Sequence, residues 1–430
     1  MQWVFEDNIM KGYSWVLLLA VASMNCFAGF DEGSAAYEAK DYTTALSEFL
    51  PLASDGDAKS QAKLGVMYYN GEGLPQNYSQ AASWYRKAAE QGNAEAQSYL
   101  GDMHIKGDGV AQDYGKAASW FSKAAEQGDS SAQYNLGLMY IKGIGVPKDY
   151  SQAASWYRKA AEQGNAFAQT NLGLMYIKGI GVPKDYSQAA SWFQKSAEQG
   201  DNRSQYLLGL MFNSGEGVEQ DYGKGASWLT KSAEQGNAFA QFNLGDMYIK
   251  GDGVSKDDNQ AFHWFRKSAE QGNAEAQSYL GFMYNRGRGV PQNYSQATDW
   301  FRKAAEQGDA YAQYNLGLMY FNGEGLPQNY SQAASWFRKA GTQGHSDSLN
   351  NLGLGYEFGQ YGAKNLVLAH FFYNLAAVSG DKQNKENRDR ITLQLTSAQL
   401  NEAQELASKW VINQPLPTFT KTYPSAKKRK

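Results

Sequence analysis

The chain has 430 residues, 19% of them charged, with 40 Lys and Arg against 43 Asp and Glu and a net charge of −3. That balance excludes a protein organised around a basic, phosphate-binding face. One cysteine excludes a disulfide framework and a zinc site built on thiolate pairs, and four histidines leave little for metal ligation or general-base chemistry.

Residues 1–28 read as a secretory signal: Lys11, an apolar run from Trp15 to Ala22, then small residues leading to Ala28. The run is shorter than the about 20 apolar residues a membrane span needs. Cleavage near Ala28 predicts a periplasmic or secreted protein with no stable membrane span; an uncleaved anchor is the other outcome. Cys26 follows Ser23-Met24-Asn25, a poor lipobox.

Residues 29–57 form an irregular opening helix pair, a cap. Asp41-Tyr42 and Ala45 keep the phase of the later repeats, Glu48 stands where a Trp recurs in them, and Pro51 falls inside the second helix, where it should bend it. Residues 58–380 are an array with a period of 36. Trp84, Trp120, Trp156, Trp192, Trp228, Trp264, Trp300 and Trp336 keep that spacing, as do the Leu-Gly pairs from Leu64-Gly65 to Leu352-Gly353 and a glycine series from Gly56 to Gly380.

One unit displays the physics. Ala168, Leu172, Met175 and Tyr176 fall at the 3-and-4 spacing of a buried helical stripe. Gly179 stops that helix, and Gly181 is a second permissive position in the loop. Asp185, with Gln188 three residues on, predicts a capping box. Ala189, Trp192, Ser196 and Ala197 line the inner face of the second helix, and Trp and Tyr fill the space between helices. Pro75, Pro147, Pro183, Pro291 and Pro327 precede their caps by two residues, where a missing N–H costs no helical bond. Helices of about 12 to 15 residues are marginal alone, so stability must come from stacking.

The consensus A-x-A-Q-x-x-L-G-x-M-Y-x-x-G-x-G-V-x-x-D-Y-x-x-A-x-x-W-x-x-K-A-A-E-Q-G resembles the Sel1-like repeat family, a branch of the tetratricopeptide-type solenoids. The resemblance runs from about Asp31 to Trp410. It implies an all-α fold, a right-handed α/α superhelical solenoid of 36-residue helix-turn-helix repeats. It also implies an adaptor for other proteins in signalling, envelope assembly or host interaction.

Towards the end, Phe372 replaces Trp and Tyr361 takes the second loop glycine's place. Residues 381–413 are expected to hold a C-terminal capping helix, over Leu393 to Trp410, and 414–430 a disordered basic tail.

Signatures of catalysis are missing: H-E-x-x-H, G-x-S-x-G, C-x-x-C and G-x-x-x-x-G-K-[ST] do not occur. The recurrent Gly-x-Gly joins helices and reads as loop geometry. His104 reads as packed in the stripe and His263 as a solvent-edge residue, while His345 and His370 have no metal-spaced partners. Glu90, Glu126, Glu162 and Glu198 read as solvated helix ends. No cofactor, nucleic acid or small-molecule substrate is expected. Cysteine-rich relatives linked to penicillin binding rely on a disulfide in each repeat, and this chain has no cysteine after Cys26.

In stacks of this type the first helix of each pair lines the concave surface. Its outward positions here carry Tyr134, Phe167, Tyr206, Phe239, Phe242, Tyr311, Tyr314 and Phe321, an aromatic strip suited to an extended peptide or partner helix. Asn135, Asn171, Asn243 and Asn315 stand ready to bond a backbone along it; packing between units is the competing role for the strip. The expected function is an exported protein–protein interaction scaffold. The alternatives are an envelope-associated structural scaffold without a peptide groove, and an envelope-acting enzyme.

Overall fold

The computed structural model describes residues 29–418; residues 1–28 and 419–430, and with them the leader and most of the basic tail, lie outside the described residues. Among the described residues there are 22 α-helices, one short 3-10 helix and no strand. The chain divides into two compact units, Met1–Gln199 and Gly200–Lys430. Each is a stack of antiparallel helix pairs at the 36-residue period, and the interiors run along the stacks from pair to pair.

The caps explain why the helices start and stop where they do. In the pair Ala166–Lys178 and Tyr186–Glu198, Asn165 opens the first helix by accepting the N–H of Ala168 at 2.9 Å. Asp185 opens the second by accepting the N–H of Gln188 at 3.0 Å. The expected box at Asp185 is thus its first half, a single side-chain cap; a reciprocal box with a side chain on both sides forms at Thr396 and Gln399. The loop closes because the Asp185 N–H donates back to the Tyr176 carbonyl at 3.0 Å. Pro183 lies in that non-helical loop.

Three of the four residues of the expected stripe are buried, Ala168 and Leu172 fully and Met175 at 5% exposed, while Tyr176 is half-buried. The tryptophans are a partial correction. Trp192 and Trp264 are buried, but the other six of the series are half-buried. The ring that fills each pair belongs to the next residue: Tyr85, Phe121, Tyr157, Phe193, Phe265, Phe301 and Phe337, with Leu229 in one repeat. It lies flat against the glycine of the Leu-Gly pair. A Cβ on Gly173 would stand 2.6 Å from Phe193 Cε1, which is why the smallest residue recurs there. The same contact joins Gly33 to Phe49 and Gly353 to Tyr373, so residues 29–57 and 346–376 are built as repeats too.

Each Trp instead carries a lysine three residues on across its outer face, from Lys87 over Trp84 at 4.0 Å to Lys339 over Trp336 at 3.7 Å. Within each unit a ladder of glutamine amides ties the pairs together. Gln97 donates to the Ala89 carbonyl of the preceding repeat at 2.9 Å and accepts from Gln127 of its own second helix at 2.8 Å. Gln133 with Gln163, and Gln277 with Gln307, repeat the arrangement. The neighbouring glutamates, Glu90 and its copies, are exposed as expected.

Among the described residues one interior tyrosine hydroxyl is unmatched. The Tyr157 hydroxyl meets the Asn171 amide, but the corresponding partner of Tyr85 is Tyr99, which stacks on it at 5.0 Å. The Tyr85 hydroxyl is buried with no hydrogen-bond partner. Tyr85→Phe is therefore expected to stabilise the first unit by about 1 kcal/mol, read as a higher denaturant midpoint, whereas Tyr157→Phe gives no such gain.

At the N-terminal end the helix over Tyr42–Ser54 runs on through Pro51 without being cut. Two features at the C-terminal end differ from expectation. Residues 381–413 hold two helices, Lys382–Thr392 and Ser397–Lys409, not one. Thr396 caps the second, and Leu393 sits in the turn, 89% exposed. Beyond Pro415 the chain is first docked: Leu416 is buried in the cluster that holds Leu349 and Phe337, and the Arg338 guanidinium donates to the carbonyls of Leu416 and Pro417 at 3.1 and 2.8 Å.

Candidate functional site

The outward aromatics divide into two groups. Phe167, Phe239 and Tyr311 are exposed, at 64%, 61% and 44%. Tyr134, Tyr206, Phe242, Tyr314 and Phe321 are half-buried, because each packs on a neighbouring ring. Tyr134 lies 5.7 Å from Tyr157, and Tyr314 is stacked on His345 at 4.7 Å. Phe321 packs against Tyr330 at 5.2 Å and Tyr206 against Phe239 at 6.3 Å. These rings both stabilise the stacks and edge their surface.

The asparagines expected to hold a bound backbone are engaged within the chain. Asn243 donates to the Phe239 carbonyl at 2.8 Å and bonds the Tyr206 hydroxyl. Asn315 is buried and donates to the Tyr311 carbonyl at 2.8 Å. Asn171 meets Tyr157, and Asn135 donates to Asp102 at 3.4 Å. Two of these amides, of Asn171 and Asn243, thus meet the hydroxyls of Tyr157 and Tyr206.

In the second unit three successive first helices, Ala238–Lys250, Ala274–Arg286 and Ala310–Asn322, bound a cleft of about 490 Å³. Phe242 and Tyr311, both expected, line it together with Glu275, Ser278, Tyr279, Phe282 and Asp309. Tyr279 stacks on Phe265 at 5.0 Å, and Phe242 meets its edge at 5.7 Å. Asp309 Oδ1 caps the third helix by accepting from the Ala312 N–H at 2.6 Å and takes the Ser278 hydroxyl at 3.0 Å. Sequence reasoning passed over this repeat. Its signal was a tyrosine at 279 where 135, 171, 243 and 315 carry asparagine. A cleft of about 430 Å³ in the first unit is lined by Phe30, Tyr37, Lys59, Lys63 and Glu95, among others.

The histidines hold structural posts. His104 is buried, with Nδ1 3.2 Å from the Ala111 carbonyl oxygen, and His263 is exposed against Trp264. His345 caps the helix Ser346–Phe358, its Nδ1 accepting the Ser348 N–H at 3.3 Å. Burial holds the pKa of His345 below its ordinary value of 6.5, which keeps that nitrogen an acceptor. Buried His370 is likewise depressed by desolvation and bonds Thr392 at 3.0 Å. Among the described residues no group of three His, Cys, Asp or Glu is placed to hold a metal ion. No described helix is long and apolar enough to cross a membrane.

A profile of the Sel1 repeat matches nine consecutive segments of 36 residues, from 58–93 to 346–381. The chain belongs to the Sel1 repeat family. A Sel1-like (SLR) fold is also what a crystallised protective antigen of uropathogenic Escherichia coli strains displays; it is 35% identical, with 96% of this chain and 99% of that one covered and a TM-score of 0.67. A Sel1 repeat protein from Oxalobacter formigenes is 35% identical over 70% of this chain and 88% of its own, with a TM-score of 0.55. Among curated proteins none matches. Sel1 repeat proteins are generally non-catalytic scaffolds for protein interactions.

Proposed function

We propose that this Sel1 repeat protein is an exported scaffold that captures a partner protein through an extended segment laid on its first helices. The observation that carries the reading is the cleft floored by Phe242, Tyr279 and Phe282 and flanked by Tyr311. Solvent-facing rings held by packing on one side lose little freedom when a partner covers the other. The leader-like residues 1–28, and the likeness to a protective antigen of uropathogenic Escherichia coli strains, support export to the periplasm or beyond.

The test is capture from envelope extract by the leaderless protein. Replacing Tyr206, Phe239 and Phe242 with Ser is expected to abolish capture while circular dichroism stays helical. Because Tyr206 and Phe242 also pack inward, the exposed pair Phe239→Ser and Tyr311→Ser isolates the surface role. Capture that survives both variants overturns the groove. It would favour a structural envelope scaffold, the reading that the half-buried state of five of the eight aromatics supports.

A further inference from the structure

We infer that the cleft of the second unit is a receptor for a cationic side chain, an Arg or Lys carried on an extended partner segment. The inference rests on the scaffold reading above and names the chemistry of what the scaffold holds. Its basis is a comparison that the chain makes with itself. Residues 94–101 and 274–281 have the same sequence, Ala-Glu-Ala-Gln-Ser-Tyr-Leu-Gly. In the first unit the glutamate of this segment, Glu95, has its cation inside the chain: Lys63 Nζ stands 3.8 Å away, on the preceding first helix. Lys59 joins it along the same cleft, 5.7 Å over the Phe30 ring.

In the second unit the place of Lys63 is taken by Asn243, whose amide is turned to the Phe239 carbonyl. Among the described residues no Lys or Arg lies within ion-pair distance of Glu275. The nearby Asp246 is satisfied by Lys250 at 2.6 Å and adds no open charge. Glu275 is exposed on one rim, and Asp309 lies on the same lining. Both bonds that the Asp309 carboxylate receives fall on Oδ1. Two carboxylates lining one cleft with Phe242, Phe282 and the exposed rings of Tyr279 and Tyr311 are the elements of a site for a guanidinium or ammonium group. The rings attract its charge through their quadrupoles and the carboxylates accept its N–H donors. An apolar side chain would gain the floor and leave the rim unused. The lysine at position 63 thus shows, within one molecule, what a glutamate at this point of the repeat takes as partner.

Fluorescence anisotropy with the full chain tests this, using a labelled Gly-Ser peptide bearing two arginines and its twin bearing two citrullines. The arginine peptide is expected to bind at least tenfold more tightly than the twin. Glu275→Gln and Tyr279→Leu should each remove most of that preference, and Glu95→Gln should leave it unchanged. Asn243→Lys, which restores the internal cation of the first unit, should weaken binding as Glu275→Gln does. Equal binding of the two peptides that is lost in the Phe239→Ser, Tyr311→Ser variant overturns the cation inference and leaves the groove standing. Binding of neither peptide overturns the cation inference and counts against the groove as well. A preference untouched by both Glu275→Gln and Asn243→Lys also overturns it, since the charge read would then lie elsewhere, with the carboxyl-terminal lysines as competing ligands ruled on by adding residues 419–430 as a free peptide.

Discussion

Gly181→Ala is expected to destabilise the first unit by about 3 kcal/mol or more, against about 1 kcal/mol for Gly164→Ala. Both glycines hold positive φ, 72° and 92°, so each alanine bears the left-handed strain. They differ in surroundings. A Cβ at 164 meets nothing within 4 Å, whereas one at 181 would overlap the Tyr150 carbonyl and press on Met175 Cε at 2.9 Å. Tyr150 opens the second helix of the preceding repeat. The second loop glycine is therefore the point where one pair seats on the last, and the alanine must pry two pairs apart. Because each repeat leans on its neighbours, the damage should spread from that joint. Urea denaturation gives the loss of stability. Hydrogen exchange should show the Asp185 amide, which closes the loop onto Tyr176, losing protection first. Equal losses for the two variants would mean that backbone strain alone sets the effect.

Arg390→Ala should cost about 2 kcal/mol in the second unit, less than a fully buried pair loses because the Arg390 side chain is 45% exposed. Glu357 is 3% exposed at the end of its helix, and Arg390 bonds both of its oxygens, Nη2 to Oε2 at 2.8 Å and Nη1 to Oε1. The Tyr373 hydroxyl donates to the same carboxylate at 2.7 Å. Removing the guanidinium leaves a buried charge with one neutral donor, while Arg390→Lys keeps the charge and loses the two-pronged fit, for an intermediate loss. The Arg390 hydrogen bonds, first among its causes, hold the Glu357 pKa below its ordinary 4.5. Its stabilisation is thus fully present above pH 4.5 and is lost as pH falls through the lowered value. The gap between wild type and Arg390→Ala should be constant near neutral pH and narrow in acid. A gap that stays constant into acid would show that Arg390 acts by packing alone.

Much of this was readable from the chain. Helix starts at Asn165 and Asp185, and the stops at glycine, are local events. A short polar side chain bonds an N–H three residues on, and a residue without Cβ takes the left-handed turn, whatever the rest of the molecule does. The repeated consensus carried the resemblance to the family, which the nine matched segments then showed. The cleft was half legible: Phe242 and Tyr311 stand at outward positions, but Tyr279 and Glu275 lay in a repeat from which no outward residue was drawn.

What periodicity could not decide is which of two neighbouring recurrent residues faces inward. Trp192 and Phe193 repeat in the same phase, and only the approach of Gly173 puts the second ring in the centre, while most tryptophans of the series stay half-buried, each under a lysine. The glutamines of A-x-A-Q and E-Q-G recur with the period, but only stacking brings Gln97 beside Gln127 and Ala89. Leu416, in a stretch read as tail, is core because Arg338 presents donors to its carbonyl. And the charge of Glu275 has meaning only against what stands at 243, one repeat earlier. Sequence determined the helices and their caps, because those bonds span three or four residues. Tertiary structure decided the interior, the ladder and the cleft, because each joins residues about 20 to 36 positions apart through surfaces that only stacking creates.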